Sequence, residues 1–92
     1  MKNMENMATI KIKRKTEWLN WARSYKIFID GHFVGKIANG ETKEFPTTVG
    51  QHTVTAKIDL FSSPNIFIDV EINEIKDLTV KPRFRVRKNT LI

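Results

Sequence analysis

The sequence predicts an all-β fold: a single β-sandwich of about seven short antiparallel strands. Three observations carry this. Apolar and polar residues alternate with a period of two in one segment after another. Turn signals separate those segments roughly every ten residues. No stretch shows a sustained helical period. A single open sheet of this content would leave one apolar face wet; a closed barrel is the alternative, because alternation does not count sheets. The 92 residues hold one core. The expected layout is a tail over 1–7, the domain over 8–88 and a short C-terminal tail over 89–92.

Residues 9–15 alternate, with Ile10 and Ile12 on one side and Lys11, Lys13 and Lys15 on the other. Arg14 falls on the apolar side and is expected to mark the strand's exit from the core. Residues 16–24 break the alternation. Trp18 and Trp21 are spaced for one helical turn or a compact connection, too short for an independent helix. The strongest local signal is the hairpin over 25–37. Tyr25, Ile27 and Ile29 alternate with Lys26 and Phe28, and Asp30-Gly31 then supplies a two-residue turn that tolerates positive φ. Asn39-Gly40 is a second turn, leading into a run over 41–45. Pro46 argues against a central strand there, since it has no N–H to give to a ladder, and 47–50 reads as a bend.

Residues 51–58 alternate cleanly, with Val54, Ala56 and Ile58 inward and Thr53, Thr55 and Lys57 outward. Residues 59–65 read as a loop. Ile66, Ile68, Val70 and Ile72 mark the next strand. Asn73-Glu74 is a polar turn before the strand over 75–80, with Leu78 and Val80 inward. Residues 83–88 form a short extension after Pro82, with Arg83, Arg85 and Arg87 on one face and Phe84 and Val86 on the other.

Ile29-Asp30-Gly31, Val34-Gly35, Phe45 and the run Val49-Gly50-Gln51-His52-Thr53-Val54-Thr55 resemble the PEGA-like domains, short bacterial β-sandwich modules. In that family a strand ends in Asp-Gly, a second strand follows, and a later strand with a glycine and a histidine near its start enters the core. The resemblance covers roughly residues 25–58. Thr48-Val49-Gly50-Gln51 departs from it, standing where the family shows Pro-Glu-Gly and a small residue. The resemblance implies an immunoglobulin-like or transthyretin-like sandwich. It also implies an accessory, non-catalytic role, such modules being appendages of larger envelope or surface proteins.

Composition narrows the function classes. There is no cysteine, so disulfides, zinc–thiolate sites and thiol chemistry are excluded. Residues 1–7 are polar and lack the apolar centre of a signal peptide. No run approaches the ~20 apolar residues of a membrane helix. If residue 1 is the native start, the expected location is the cytoplasm. The net charge is +6 and unevenly placed. Lys11, Lys13, Arg14 and Lys15 form one basic cluster and Lys81, Arg83, Arg85, Arg87 and Lys88 another, whereas the rest of the chain carries seven basic and ten acidic residues.

Catalytic and metal chemistry find little support. His32 and His52 lack the spacing that would impose a metal site with Asp30, Asp59 or Asp69, and both read as ordinary surface or edge residues. Asp59, Asp69, Glu71, Glu74 and Asp77 read as a solvated face rather than an acid/base pair. Ser62 and Ser63 lack a nucleophile elbow, and phosphate loops are absent. No cofactor is expected, and the chain is read as a non-enzyme. Trp18 and Trp21 are candidate partner-binding residues, because tryptophan is enriched where proteins touch partners; the competing reading has them plug one end of the core. Lys11, Lys13, Lys15, Arg83, Arg85 and Arg87 are candidate polyanion-binding residues, forming one patch if the first and last strands are neighbours. Protection of sheet edges competes with that reading. The expected function is a non-catalytic interaction module with a protein partner; the alternative is a binder of nucleic acid or another polyanion.

Overall fold

The computed structural model describes residues 7–16, 22–59, 61–81 and 85–88. Among them lie nine strands: β1 (Met7–Arg14), β2 (Tyr25–Ile29), β3 (His32–Ile37), β4 (Thr42–Thr48), β5 (Gly50–Ile58), β6 (Phe61–Ser62), β7 (Ile66–Val70), β8 (Ile75–Lys81) and β9 (Arg85–Lys88). They form two sheets. The first runs β4-β1-β8-β9. The second runs β3-β2-β5-β6, with β7 also pairing β5.

The period of two explains why both sheets have one apolar face. Ala8, Ile10 and Ile12 of β1, Phe45 of β4, and Leu78 and Val80 of β8 line the first sheet. Tyr25, Ile27, Ile29, Ile37, Val54, Ala56, Ile58, Ile68 and Val70 line the second, and the two sets merge into one buried cluster. Ile66 packs against it only partly buried. The Asp30-Gly31 turn forms as the sequence predicts, with φ of 54° and 81°. The chain crosses between the sheets at several corners. At one of them β4 becomes β5 through a bend at Val49, and Gly50 takes φ of 113°, a value side-chain-bearing residues rarely adopt.

Several expectations need correction. The β1–β8 pair is parallel, with Ile10 opposite Lys76 and Ile12 opposite Leu78. The turn before β8 explains it. Thr9 N–H donates to Glu74 carbonyl and Asn73 N–H to Met7 carbonyl, so β8 starts beside the start of β1 and must run the same way. β4 continues through Pro46 to Thr48, which proline allows because β4 is an edge strand. Two residues of the 59–65 connection form β6. Ile72 is exposed in the turn after β7, while Lys76 is buried and paired with Glu74 at 3.0 Å.

Arg14 does not mark an exit from the core; it is 0% exposed. Its guanidinium lies 4.5 Å from the Tyr25 ring centroid and donates to the Ile37 carbonyl at 3.2 Å and to the Arg23 carbonyl. A planar fork of donors on an apolar stem suits such a position, because backbone carbonyls and a ring face replace water. The core therefore closes around Arg14 at the end of β1.

Candidate functional site

The sequence-predicted site residues divide into three groups. Trp18, Trp21 and Arg83 lie outside the described residues. Lys11, Lys13 and Lys15 sit on or just beyond β1. Arg85 and Arg87 sit on β9. β1 and β9 belong to the same sheet but are separated by β8. In register, Lys13 lies between Thr42 and Thr79, and Arg87 lies opposite Thr79. Lys11 lies between Glu44 and Asp77, so two carboxylate-bearing neighbours offset its charge. Arg85 lies opposite Lys81.

A polar cluster forms at the second sheet's end nearest β4. His52 is not a surface residue; it is only 9% exposed. Its Nδ1 lies 2.5 Å from Asp30 Oδ2, and its Nε2 lies 2.7 Å from the Thr48 carbonyl. Asp30 Oδ1 accepts from the Thr53 N–H at 2.9 Å, and the Asp30 N–H donates to the Thr53 carbonyl at 2.7 Å. A carbonyl and an ionised carboxylate both accept, so this arrangement suits a ring with a proton on each nitrogen, the imidazolium form that His52 takes below its folded-state pKa. Burial works against charge on either group. The Asp30–His52 bond, with the Thr48 carbonyl on the ring, outweighs it and holds His52 above the ordinary imidazole range. The same bond, the Thr53 amide and the nearby charges of His52 and His32 hold Asp30 below the usual carboxylate range, again against burial.

Thr47 Oγ1 lies 3.1 Å from Nε2, which completes a hydroxyl–imidazole–carboxylate sequence. It does not make a nucleophile. General-base catalysis needs a bare nitrogen facing the hydroxyl, and the proton on Nε2 is held by Thr48. The cluster ties the β2–β3 turn to the end of β4 and so fastens one sheet to the other. Ser63 is likewise structural: it is buried, and its Oγ accepts from Ala56 N–H at 2.9 Å. Among the described residues no group of three or more metal-binding side chains converges.

The outer face of the second sheet holds a constellation that sequence reasoning missed. Lys26 lies directly opposite Lys36 on β3 and directly opposite Lys57 on β5. Three lysines thus form one row across three neighbouring strands, and all three are exposed. Arg23, Ser24, Phe28 and Asp59 complete a shallow depression of about 400 Å³ around them. Asp59 is paired with Arg23. One row further along, Phe28 lies opposite Phe33, their rings edge to face at 5.8 Å, and Lys57 Nζ lies 4.7 Å from the Phe28 centroid. A second depression continues past Phe28 and Lys57 over Thr53, Thr55, Ser62 and Asn65. Beyond it Phe67 stands opposite Thr53, 77% exposed.

The signal for this face was present but scattered. Lys26, Lys57 and Thr55 all read as outward from alternation, yet 10 to 31 positions separate the three lysines in the chain. Pairing register alone aligns them, and register between distant strands does not follow from local pattern. No helix among the described residues is long and apolar enough to cross a membrane. Comparison with protein-family models, with curated proteins and with solved structures gives no match.

Proposed function

We propose that this chain is a non-catalytic binding module, an immunoglobulin-like β-sandwich of the PEGA-like kind, that engages an anionic partner through the outer face of the β3-β2-β5 sheet. The sandwich reading is supported by two sheets that share one core. The non-catalytic reading is supported by the doubly donating His52 and by the shallowness of the depressions.

The observation that carries the binding reading is the row Lys36–Lys26–Lys57. Like charges directly opposite on neighbouring strands oppose pairing. Edge protection accounts for Lys36, because β3 is an edge strand. It does not account for Lys26 or Lys57. β2 lies between β3 and β5, and β5 lies between β2 and the β6–β7 pair, so neither strand has an edge to protect. Among the described residues no carboxylate pairs with these three ammonium groups, and only Lys57 has a ring face beside it, so the row is a field for an anion.

Heparin chromatography in a salt gradient tests this. The wild-type protein is expected to be retained, and Lys26→Glu with Lys57→Glu to abolish retention at physiological salt. Lys11→Glu with Lys13→Glu changes net charge equally and is expected to shift elution much less. Equal shifts from the two pairs would show that retention follows net charge alone, and would overturn the assignment to this face.

A further inference from the structure

We infer that the anionic partner of this face is single-stranded nucleic acid, with phosphates on the Lys36–Lys26–Lys57 row and unpaired bases on Phe33, Phe28 and Phe67. The inference rests on the binding reading above and names its ligand class.

A single strand offers a line of phosphates beside a line of flat, unpaired bases. This face offers a line of ammonium groups beside a line of exposed rings. Phe33 is 53% exposed and Phe67 77% exposed, and neither belongs to the core. A domain of this size has few large apolar side chains, so standing rings in water next to lysines that pair with no carboxylate among the described residues calls for a ligand with both charge and flat apolar faces. The depression past Phe28 is lined by Asp30, Thr53, Thr55, Ser62 and Asn65. The Thr55 hydroxyl donates to Asn65 Oδ1 at 2.7 Å and the Ser62 hydroxyl to the Ser63 carbonyl at 3.2 Å, which leaves the Asn65 amide N–H groups and the hydroxyl lone pairs to meet base edges and sugars. Strand and residue spacing place Phe28 and Phe67 about 12 Å apart, a span of roughly two nucleotides.

Charge fixes the orientation. Asp69 lies beside Phe67 at the far end, and the Asp30 carboxylate is engaged by His52 and Thr53. Phosphates are therefore drawn to the lysine end and bases extend toward Phe67. The Lys57 ammonium over Phe28 is on a flexible stem and moves to a phosphate as a base takes its place on the ring. A duplex cannot use the rings, because its base faces are already stacked inside the helix. A sulfated sugar has charge without flat aromatic faces.

Fluorescence anisotropy with labelled twelve-nucleotide single strands of DNA and RNA, and with the matching duplexes, tests the inference alongside heparin chromatography. The single strand is expected to bind at least about tenfold more tightly than the duplex. Its log–log salt slope is expected near −2, about 0.7 for each of three neutralised phosphates. Phe33→Ala with Phe67→Ala is expected to weaken single-strand binding about tenfold or more while leaving heparin retention unchanged, as stacking losses of this kind do. Phe33→Leu with Phe67→Leu keeps apolar bulk without rings and is expected to weaken it too, with an unchanged circular dichroism spectrum. If heparin binds through the lysines but the phenylalanine variants bind single strands normally, or duplex and single strand bind alike, this inference fails and the binding reading stands. If neither heparin nor oligonucleotide binds, both fail. Self-association lost in the Phe67 variant, without oligonucleotide binding, would assign the face to a second copy of the chain and overturn the inference.

Discussion

Asp30 has two tasks at one position. Its backbone, at φ 54°, turns the β2–β3 hairpin, and its carboxylate holds His52 and the Thr53 amide. The first task was legible, because Asp-Gly between two alternating runs has few other meanings. The second was not: the partners of His52 lie 22 positions upstream at Asp30 and four upstream at Thr48, and only closure of the two sheets brings them together. The linkage has a definite sign. His52 is raised in the folded state, so its contribution is full below the ordinary value of 6.5 and fades as pH rises through the folded value. Asp30 is lowered, so its contribution is full above 3.8 and fades as pH falls through the folded value. The pair stabilises most between those two reference values. Asp30 is 43% exposed, so solvent screens part of the effect. Asp30→Asn keeps a residue tolerant of positive φ and removes the charge. Thermal melts are expected to show it less stable than wild type near pH 5.5, with the gap narrowing toward pH 9. A gap independent of pH would contradict the ion-pair account.

At the scale of elements, alternation located most strands and most inward faces. Ile27, Ile29, Val54, Ala56, Ile58, Ile68 and Val70 are buried as their parity predicts. Ile68 on β7 is 4% exposed, so truncation there removes buried apolar atoms and leaves a cavity that the surroundings fill only in part. Ile68→Ala is expected to cost about 2–5 kcal/mol in denaturant unfolding, and a loss under 1 kcal/mol would mean that the β7 register is wrong. Parity misled where polar side chains occupy inward positions. Arg14 and Lys76 have inward parity and are buried, but each brings its own partners: carbonyls and the Tyr25 ring for Arg14, the Glu74 carboxylate for Lys76. Local hydropathy reads Arg14 as a strand end, since its compensation comes from β2 and β3, whereas the partner of Lys76 lies only two residues away in the turn before β8. The strand through Pro46 extends past the run that local pattern marks for a related reason. Proline excludes a central strand, but it does not exclude an edge, and edge position is a property of the sheet.

At the scale of the whole molecule, the sequence places its basicity near the two termini, whereas the fold assembles another basic row from the middle of the chain. Lys11 ends between Glu44 and Asp77, while Lys26, otherwise unremarkable in sequence, ends between Lys36 and Lys57. Charge clustering along a chain and charge clustering on a surface are different quantities, and β-pairing converts one into the other. A residue kept for binding at the centre of a like-charged row lowers the stability of the free fold, so one substitution should move stability and binding in opposite directions. Lys26→Glu replaces two repulsive cross-strand pairs with two attractive ones. The account predicts a gain of about 0.5–1 kcal/mol in unfolding free energy at low salt, together with loss of heparin retention at physiological salt. Paired melting and heparin measurements on this variant are the most direct test. A more stable protein that binds as wild type does, or one that is less stable, would contradict the claim that the lysine row is a binding surface held at a cost to the fold.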